Sequence, residues 1–359
     1  MSYILATLHL CNMKTLLTRR KTSERPTEDS QQPSESILCS LSVKPPNECE
    51  GYPYPMIPKD IPLESQFSFF MPRTSHPHGE ALACSLYRST MPKIPSAVDE
   101  AGFSGVHAST SPVIIICHGY MSWRNQMLLA HLAAGLTKRL DCHTLRFDFT
   151  GNGHSTGVFR HSNYDGEFSD LQAVISFVEQ NMAYRVVCVI GHSKGAASVL
   201  RTAAEQDNCG DASTPRKIAC FVNISGRFSV PHDYDVEKLL GVEKALELKQ
   251  TGKVVLCKKS ARECMITMDD VEERSKLDSS FVRSIRRSHV LTLHGSRDEC
   301  VDVSNAKEFA KNTKNHELFI IEGADHNFNG LRHMPIMVDT IAEFVDKHMK
   351  CVLPRPNPS

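Results

Sequence analysis

The chain has 359 residues, 41 basic against 41 acidic side chains, and 41% hydrophobic residues. That is enough for one sizeable α/β domain plus a tail. Balanced charge gives no sign of nucleic acid or an anionic membrane as the main partner, and no apolar run approaches the roughly 20 residues of a membrane span.

Residues 1–61 read as a disordered N-terminal tail and linker. Thr22 to Pro46 is rich in Ser, Thr, Pro, Gln and Glu and poor in large apolar residues. The first 23 residues contain no acid and carry Lys14, Arg19, Arg20 and Lys21, a loosely transit-peptide-like composition. Gln66–Phe70 and Ala81–Tyr87 are expected as antiparallel edge strands, with His76 and His78 in a solvated turn between them. Ser89 to Ser111 has no periodicity and reads as a surface insertion. Val113–Cys117 is an apolar run of a fully buried strand, Gln126–Leu140 a helix, and His143–Phe149 the next strand. Phe168, Leu171, Val174, Ile175 and Val178 fall on one face of a helix over Glu167–Met182. Val186–Ile190, Ile218–Ser225, Val290–Gly295 and Leu318–Ile321 complete a set of about eight strands. Val303–Asn312 and Met334–Met349 are the last two helices, and residues 351–359 a frayed tail.

Chemistry concentrates after three of these strands. Gly191-His192-Ser193-Lys194-Gly195 is a G-x-S-x-G between an apolar strand and a helix over Ala196–Ala204. A sharp turn there holds the central side chain exposed, and glycines at both ends let helix and strand pass closely. Ser193 is therefore the candidate nucleophile. His294-Gly295-Ser296-Arg297-Asp298 and Glu322-Gly323-Ala324-Asp325-His326 each follow a later strand. Serine, then acid, then histidine, each just past a strand end, is the order of an acyl-transfer triad on a parallel sheet. Asp325 rivals Asp298, but it adjoins His326 and adjacent residues on a turn point apart. The run His143 to Asp148 has H-x-x-x-x-D spacing, yet six residues along a strand cannot converge on one atom. Gly151-Asn152-Gly153 lacks the Lys-Ser/Thr ending of a phosphate loop. The 13 cysteines form no C-x-x-C pair, and several lie in apolar runs, so reduced buried thiols in a reducing compartment are expected. Asn223-Ile224-Ser225 matches a glycosylation sequon inside a core strand and is read as chance.

On these motifs the chain, from about Gln66 to Met349, resembles the α/β-hydrolase superfamily. It is most similar to the serine aminopeptidase-like branch that also holds monoacylglycerol lipase-type and feruloyl esterase-type enzymes. The resemblance implies an α/β-hydrolase fold over residues 62–350: a mostly parallel sheet with flanking helices and a small helical lid at about 227–287. It implies Ser193, Asp298 and His326 as catalytic residues, with the backbone N–H groups of Tyr120 and Lys194 as oxyanion donors. Met121 and Phe228 would line the substrate pocket, His118 would support its loop, and His192 would pack beneath the turn. The Lys194 side chain would point along the helix, and the charges from Asp269 to Arg274 would form a solvated helix face. The expected activity is serine hydrolysis of carboxylic esters, thioesters or small amides, without metal or cofactor, on a small-molecule acyl substrate. An acyltransferase with the same triad and a non-catalytic ligand-binding protein remain alternatives. The oligomeric state stays open. The expected location is cytoplasmic, with an organelle as the alternative.

Overall fold

A computed structural model describes residues 66–72, 81–89, 111–182, 184–209, 217–230, 236–259 and 262–349. The two tails, the turn holding His76 and His78, and the insertion between Ser89 and Ser111 lie outside the described residues. The expected strands all form. They are β1 (Gln66–Pro72), β2 (Ala81–Tyr87), β3 (Ser111–Cys117), β4 (His143–Phe147), β5 (Tyr184–His192) and β6 (Cys220–Ile224). Beyond an inserted hairpin, β7 (Lys253–Lys259) and β8 (Arg262–Thr267), come β9 (His289–Gly295) and β10 (His316–Ile321). Eight of them pair in the order β1-β2-β4-β3-β5-β6-β9-β10. β1/β2 and β2/β4 are antiparallel and every other pair in this sheet is parallel.

Helices cover both faces, which is why the central strands are continuous apolar runs rather than alternating ones. In β3, Val113, Ile115 and Cys117 join one core and Ile114 and Ile116 the other. The first core meets α2 (Tyr164–Asn181), α3 (Gly195–Asn208) and α7 (Ser304–Asn312), through residues such as Leu171, Val199 and Phe309. The second meets α1 (Met127–Leu140) and α8 (His333–Met349), through Leu132, Leu136, Ile341 and Val345. Cys117, Cys188 and Cys220 are buried free thiols, as expected, and Asn223 is fully buried in β6, where no glycan could attach.

The segment between β6 and β9 corrects the expectation of a purely helical lid. It holds α4 (Val236–Leu240), α5 (Val242–Thr251), the β7–β8 hairpin, α6 (Met268–Ser275) and a 3-10 turn at Ser280–Ser284. Gly252, at φ 75, stops α5. Val254 and Leu256, then Cys264 and Ile266, are buried at alternate positions, the period of a strand. The insertion closes at its root, where Ser279 N–H donates to Phe228 O (2.8 Å) and Val230 N–H to Leu277 O (3.3 Å). Its core of Leu248, Val254, Leu256, Ile266 and Val271, joined by Phe159 from the segment after β4, packs on Tyr120 and Met121. The insertion therefore roofs the loop after β3.

Candidate active site

Four loops leave the C-terminal ends of parallel strands β3, β5, β9 and β10, where open α/β sheets bind ligands. The turn after β5 is tight. Ser193 sits at φ 53, left-handed backbone that a non-glycine residue adopts only when its surroundings impose it. A Cβ on Gly191 would lie 2.6 Å from Gly195 O, and one on Gly195 would lie 2.3 Å from His118 O. Both glycines are thus demanded by the crossing of β5, α3 and the loop after β3. Ser193 N–H donates to Ile224 O (2.8 Å), which ties the turn to β6. Lys194 is the N-cap of α3, so Ser193 lies at the positive end of a helix dipole.

The loops after β9 and β10 are stitched together before they present their side chains. Ser296 N–H donates to Ile321 O (3.0 Å) and Arg297 N–H to Ala324 O (2.9 Å). A Cβ on Gly295 would strike Ala324 O at 2.3 Å, so only glycine permits this contact. The result brings together the three residues expected from the sequence. His326 Nε2 is 3.0 Å from Ser193 Oγ, and His326 Nδ1 is 2.7 Å from Asp298 Oδ2. Asp298 Oδ1 accepts the N–H groups of Cys300 and Val301, both at 2.8 Å. Burial works against the Asp298 charge, but hydrogen bonds from His294 and His326 outweigh it and hold the carboxyl well below the usual range. Asp325 turns away and accepts from Asn329 N–H and Nδ2 (2.9 and 2.8 Å).

The supporting histidines are buried and neutral. His118 Nδ1 donates to Gly119 O (2.8 Å) while its Nε2 accepts from Phe149 N–H (3.0 Å), joining the loop after β3 to the end of β4. Burial lowers its pKa. His192 Nε2 donates to the His326 carbonyl (3.0 Å), and burial takes its pKa down to about 3. It therefore fixes the His326 backbone from beneath the turn. The Gly-rich loop is a scaffold: Asp148 Oδ2 accepts His154 N–H (2.9 Å) and pairs with buried Arg124.

Several placements differ from expectation. The Lys194 side chain does not run along its helix into solvent. Its Nζ is buried, 2.7 Å from Glu167 Oε1 on α2, and 5.0 Å from the Tyr164 ring centre. The charges of α6 are not all solvated. Asp270 is buried in a capping box with Thr267, and the Arg274 guanidinium lies 5.2 Å from the Tyr120 ring centre. Tyr120 is also held by its hydroxyl, 2.7 Å from His161 Nδ1. Met121, at φ 50, stays partly exposed beneath the insertion. Phe228 does not join it: the closed root of the insertion draws its ring into the sheet's core, 5.1 Å from Phe309. His294, Glu167 and Arg274 were not singled out from the sequence for any role at the site. His294 was detectable as a polar residue at the end of β9, just before the loop that carries Asp298.

A family model described as serine aminopeptidase, S33, matches residues 108–280. That span contains Ser193 and most of the insertion but ends before Asp298 and His326. A comparison with curated protein sequences finds no match. Solved structures do match in fold. Est1E from Butyrivibrio proteoclasticus, with ferulic acid bound, gives a TM-score of 0.54 at 19% identity, covering 76% of this chain and 97% of its own. A putative hydrolase from Agrobacterium vitis S4 gives 0.55 at 18% identity, over 78% and 99%. Mouse alpha/beta hydrolase domain-containing protein 10 gives 0.54 at 20% identity, over 78% and 98%. Among the described residues no helix is long and apolar enough to cross a membrane. The chain is an α/β-hydrolase-fold protein, and over residues 108–280 it resembles the serine aminopeptidase S33 family.

Proposed function

We propose that this protein is a serine hydrolase that cleaves carboxylic esters through an acyl-enzyme. The observation that carries this reading is the continuous Ser193–His326–Asp298 relay, 3.0 and 2.7 Å long, on a serine held at φ 53. His326 Nε2 takes the Ser193 proton as Oγ attacks the acyl carbon. The imidazolium that forms is stabilised by Asp298, which stays ionised. The developing oxyanion is met by the backbone N–H groups of Lys194 and Tyr120, each worth a few kcal/mol in a dry site. As the intermediate collapses, His326 returns the proton to the leaving alkoxide. Water, deprotonated by the same imidazole, then releases the acid and regenerates Ser193.

The roof supports the choice of substrate class. Tyr120 and Met121 face an apolar insertion core, and the nearby charges are engaged: Lys194 with Glu167, Arg274 with the Tyr120 ring, and Asp270 with Thr267 in the capping box of α6. That surface suits an uncharged acyl group rather than a free amino terminus. Ferulic acid on the fold relative Est1E makes aromatic acyl esters a natural part of the test set.

Labelling with a fluorophosphonate probe, compared between wild type and Ser193→Ala, tests the reading. Labelling of wild type that is lost in the variant is expected, followed by turnover in a series of aliphatic and aromatic esters. A folded wild-type protein that neither labels nor turns over any ester overturns it.

A further inference from the structure

Behind Asp298 sits a second histidine that the relay does not use. His294 is the penultimate residue of β9, four positions before Asp298, and it is fully buried. Its Nε2 is 2.8 Å from Val301 O and 3.2 Å from Asp298 Oδ2, the same oxygen that receives His326 Nδ1. Val301 O is an acceptor only, so Nε2 must carry a proton. Its Nδ1 is buried with no hydrogen-bond partner, which favours the tautomer with Nδ1 unprotonated. That N–H bonds the carbonyl that ends the 298–301 turn and lies within 3.2 Å of the carboxylate oxygen that orients His326.

We propose that His294 is a positioning residue for Asp298, fixing the rotation of its carboxylate so that Oδ2 stays aligned with His326 Nδ1. This inference deepens the hydrolase reading and rests on it. The backbone alone leaves the alignment under-determined. Cys300 and Val301 N–H hold only Oδ1, which is a pivot, and among the described residues no nitrogen donor other than the two histidines meets Oδ2. During turnover His326 moves between neutral and cationic forms and its grip on Oδ2 changes. The N–H of His294 does not change, because its ring is away from the proton path. Carboxylate orientation is thus kept through the cycle by a group that never touches substrate.

The test uses the full chain with His294→Leu and His294→Gln. Leucine fills the space and removes the donor, whereas a glutamine amide N–H can reach the same two oxygens. Ester hydrolysis in His294→Leu should lose about 30-fold in kcat with KM within twofold, the size expected for losing one charge-assisted hydrogen bond, ~2 kcal/mol at 1.36 kcal/mol per tenfold. His294→Gln should recover most of that loss. A second readout needs no turnover: the far-downfield proton resonance of the His326–Asp298 hydrogen bond should broaden or vanish in His294→Leu and persist in His294→Gln. If the leucine variant does not fold, His294→Met supplies the donor-free comparison. Wild-type kcat and an unchanged resonance in a folded donor-free variant overturn the proposal, as does a glutamine variant no better than leucine. A wild type inactive on every ester overturns the hydrolase reading instead, while the resonance still decides the role of His294.

Discussion

Lys194 carries two jobs on one residue, and they belong to different atoms. Its backbone starts α3 next to Ser193, where its carbonyl accepts from Ala197 N–H, and its ammonium is buried against Glu167. Burial pulls the Lys194 pKa down and Glu167 opposes that shift, so the charge survives only because its partner is there. Glu167→Gln should therefore destabilise the fold by about 3–5 kcal/mol, since it strands a buried cation. Replacing both residues with leucine should return most of that loss, because an apolar pair of similar volume needs no desolvation. Urea unfolding of the single and double variants measures it. A single variant within about 1 kcal/mol of wild type would mean that the pair behaves like a surface ion pair. The same residue marks a limit of sequence reading. That the residue after the nucleophile caps a helix follows from the motif's spacing. That its side chain turns back to α2 depends on a glutamate 27 positions earlier in the chain, a pairing that no local pattern encodes.

At the scale of elements, the glycines separate what the crossing demands from what a helix end tolerates. Gly195 and Gly252 both adjoin helices. A Cβ at Gly195 meets backbone at 2.3 Å, while a Cβ at Gly252 meets nothing within 4 Å, though φ there is 75. Gly195→Ala should force the elbow apart and abolish fluorophosphonate labelling. Gly252→Ala should cost only the left-handed strain of about 1 kcal/mol, visible as a small shift in urea midpoint with labelling retained. Equal effects in both would show that the elbow is not packed as tightly as its geometry says. The elements themselves were largely legible in the sequence. Apolar runs bounded by turn residues located all eight strands of the main sheet, most sharply the central ones, which are covered on both faces and so are largely apolar. The β7–β8 hairpin was not found, although Val254 and Leu256 alternate with more exposed neighbours. Charged residues stand at Lys253, Lys258 and Lys259 in β7 and at Arg262 and Glu263 in β8, and a small local core buries one face, so the signal was outweighed by the helical spacing on either side. Phe228 was misplaced for a related reason. Its position follows from the closed root of the insertion, a contact between residues about 50 apart in sequence.

Taken whole, the molecule is built on buried neutral histidines, and this sets its response to acid. His118, His143, His161, His192 and His316 all have pKa values lowered by burial, to about 2 for His161, about 3 for His192 and about 4 for His316. In the unfolded chain each would titrate near 6.5. Above that pH both states are neutral and these groups contribute nothing. As pH falls through 6.5, the unfolded chain binds protons that the native fold refuses, so stability is lost on acidification and the slope approaches ~1.4 kcal/mol per pH unit for each such histidine. Asp298 works in the same sense but in a lower window. Its depressed pKa contributes stability that is fully present above the unfolded value near 3.9 and is lost only below it. Between pH 6.5 and 5 the histidines therefore dominate, and stability should fall by several kcal/mol. His316 isolates one member, since it lies on β10, three strands from the β5 that leads to Ser193, and its Nε2 is 2.8 Å from Thr292 Oγ1, a bond glutamine can replace. His316→Gln should match wild type near pH 7.5 and lose stability less steeply below 6.5, by about one proton's worth of slope. Urea unfolding at pH 7.5, 6.0 and 5.0 reads both curves. Parallel curves would mean that His316 is protonated in the native state over this range, and that acid sensitivity resides in the carboxylates instead.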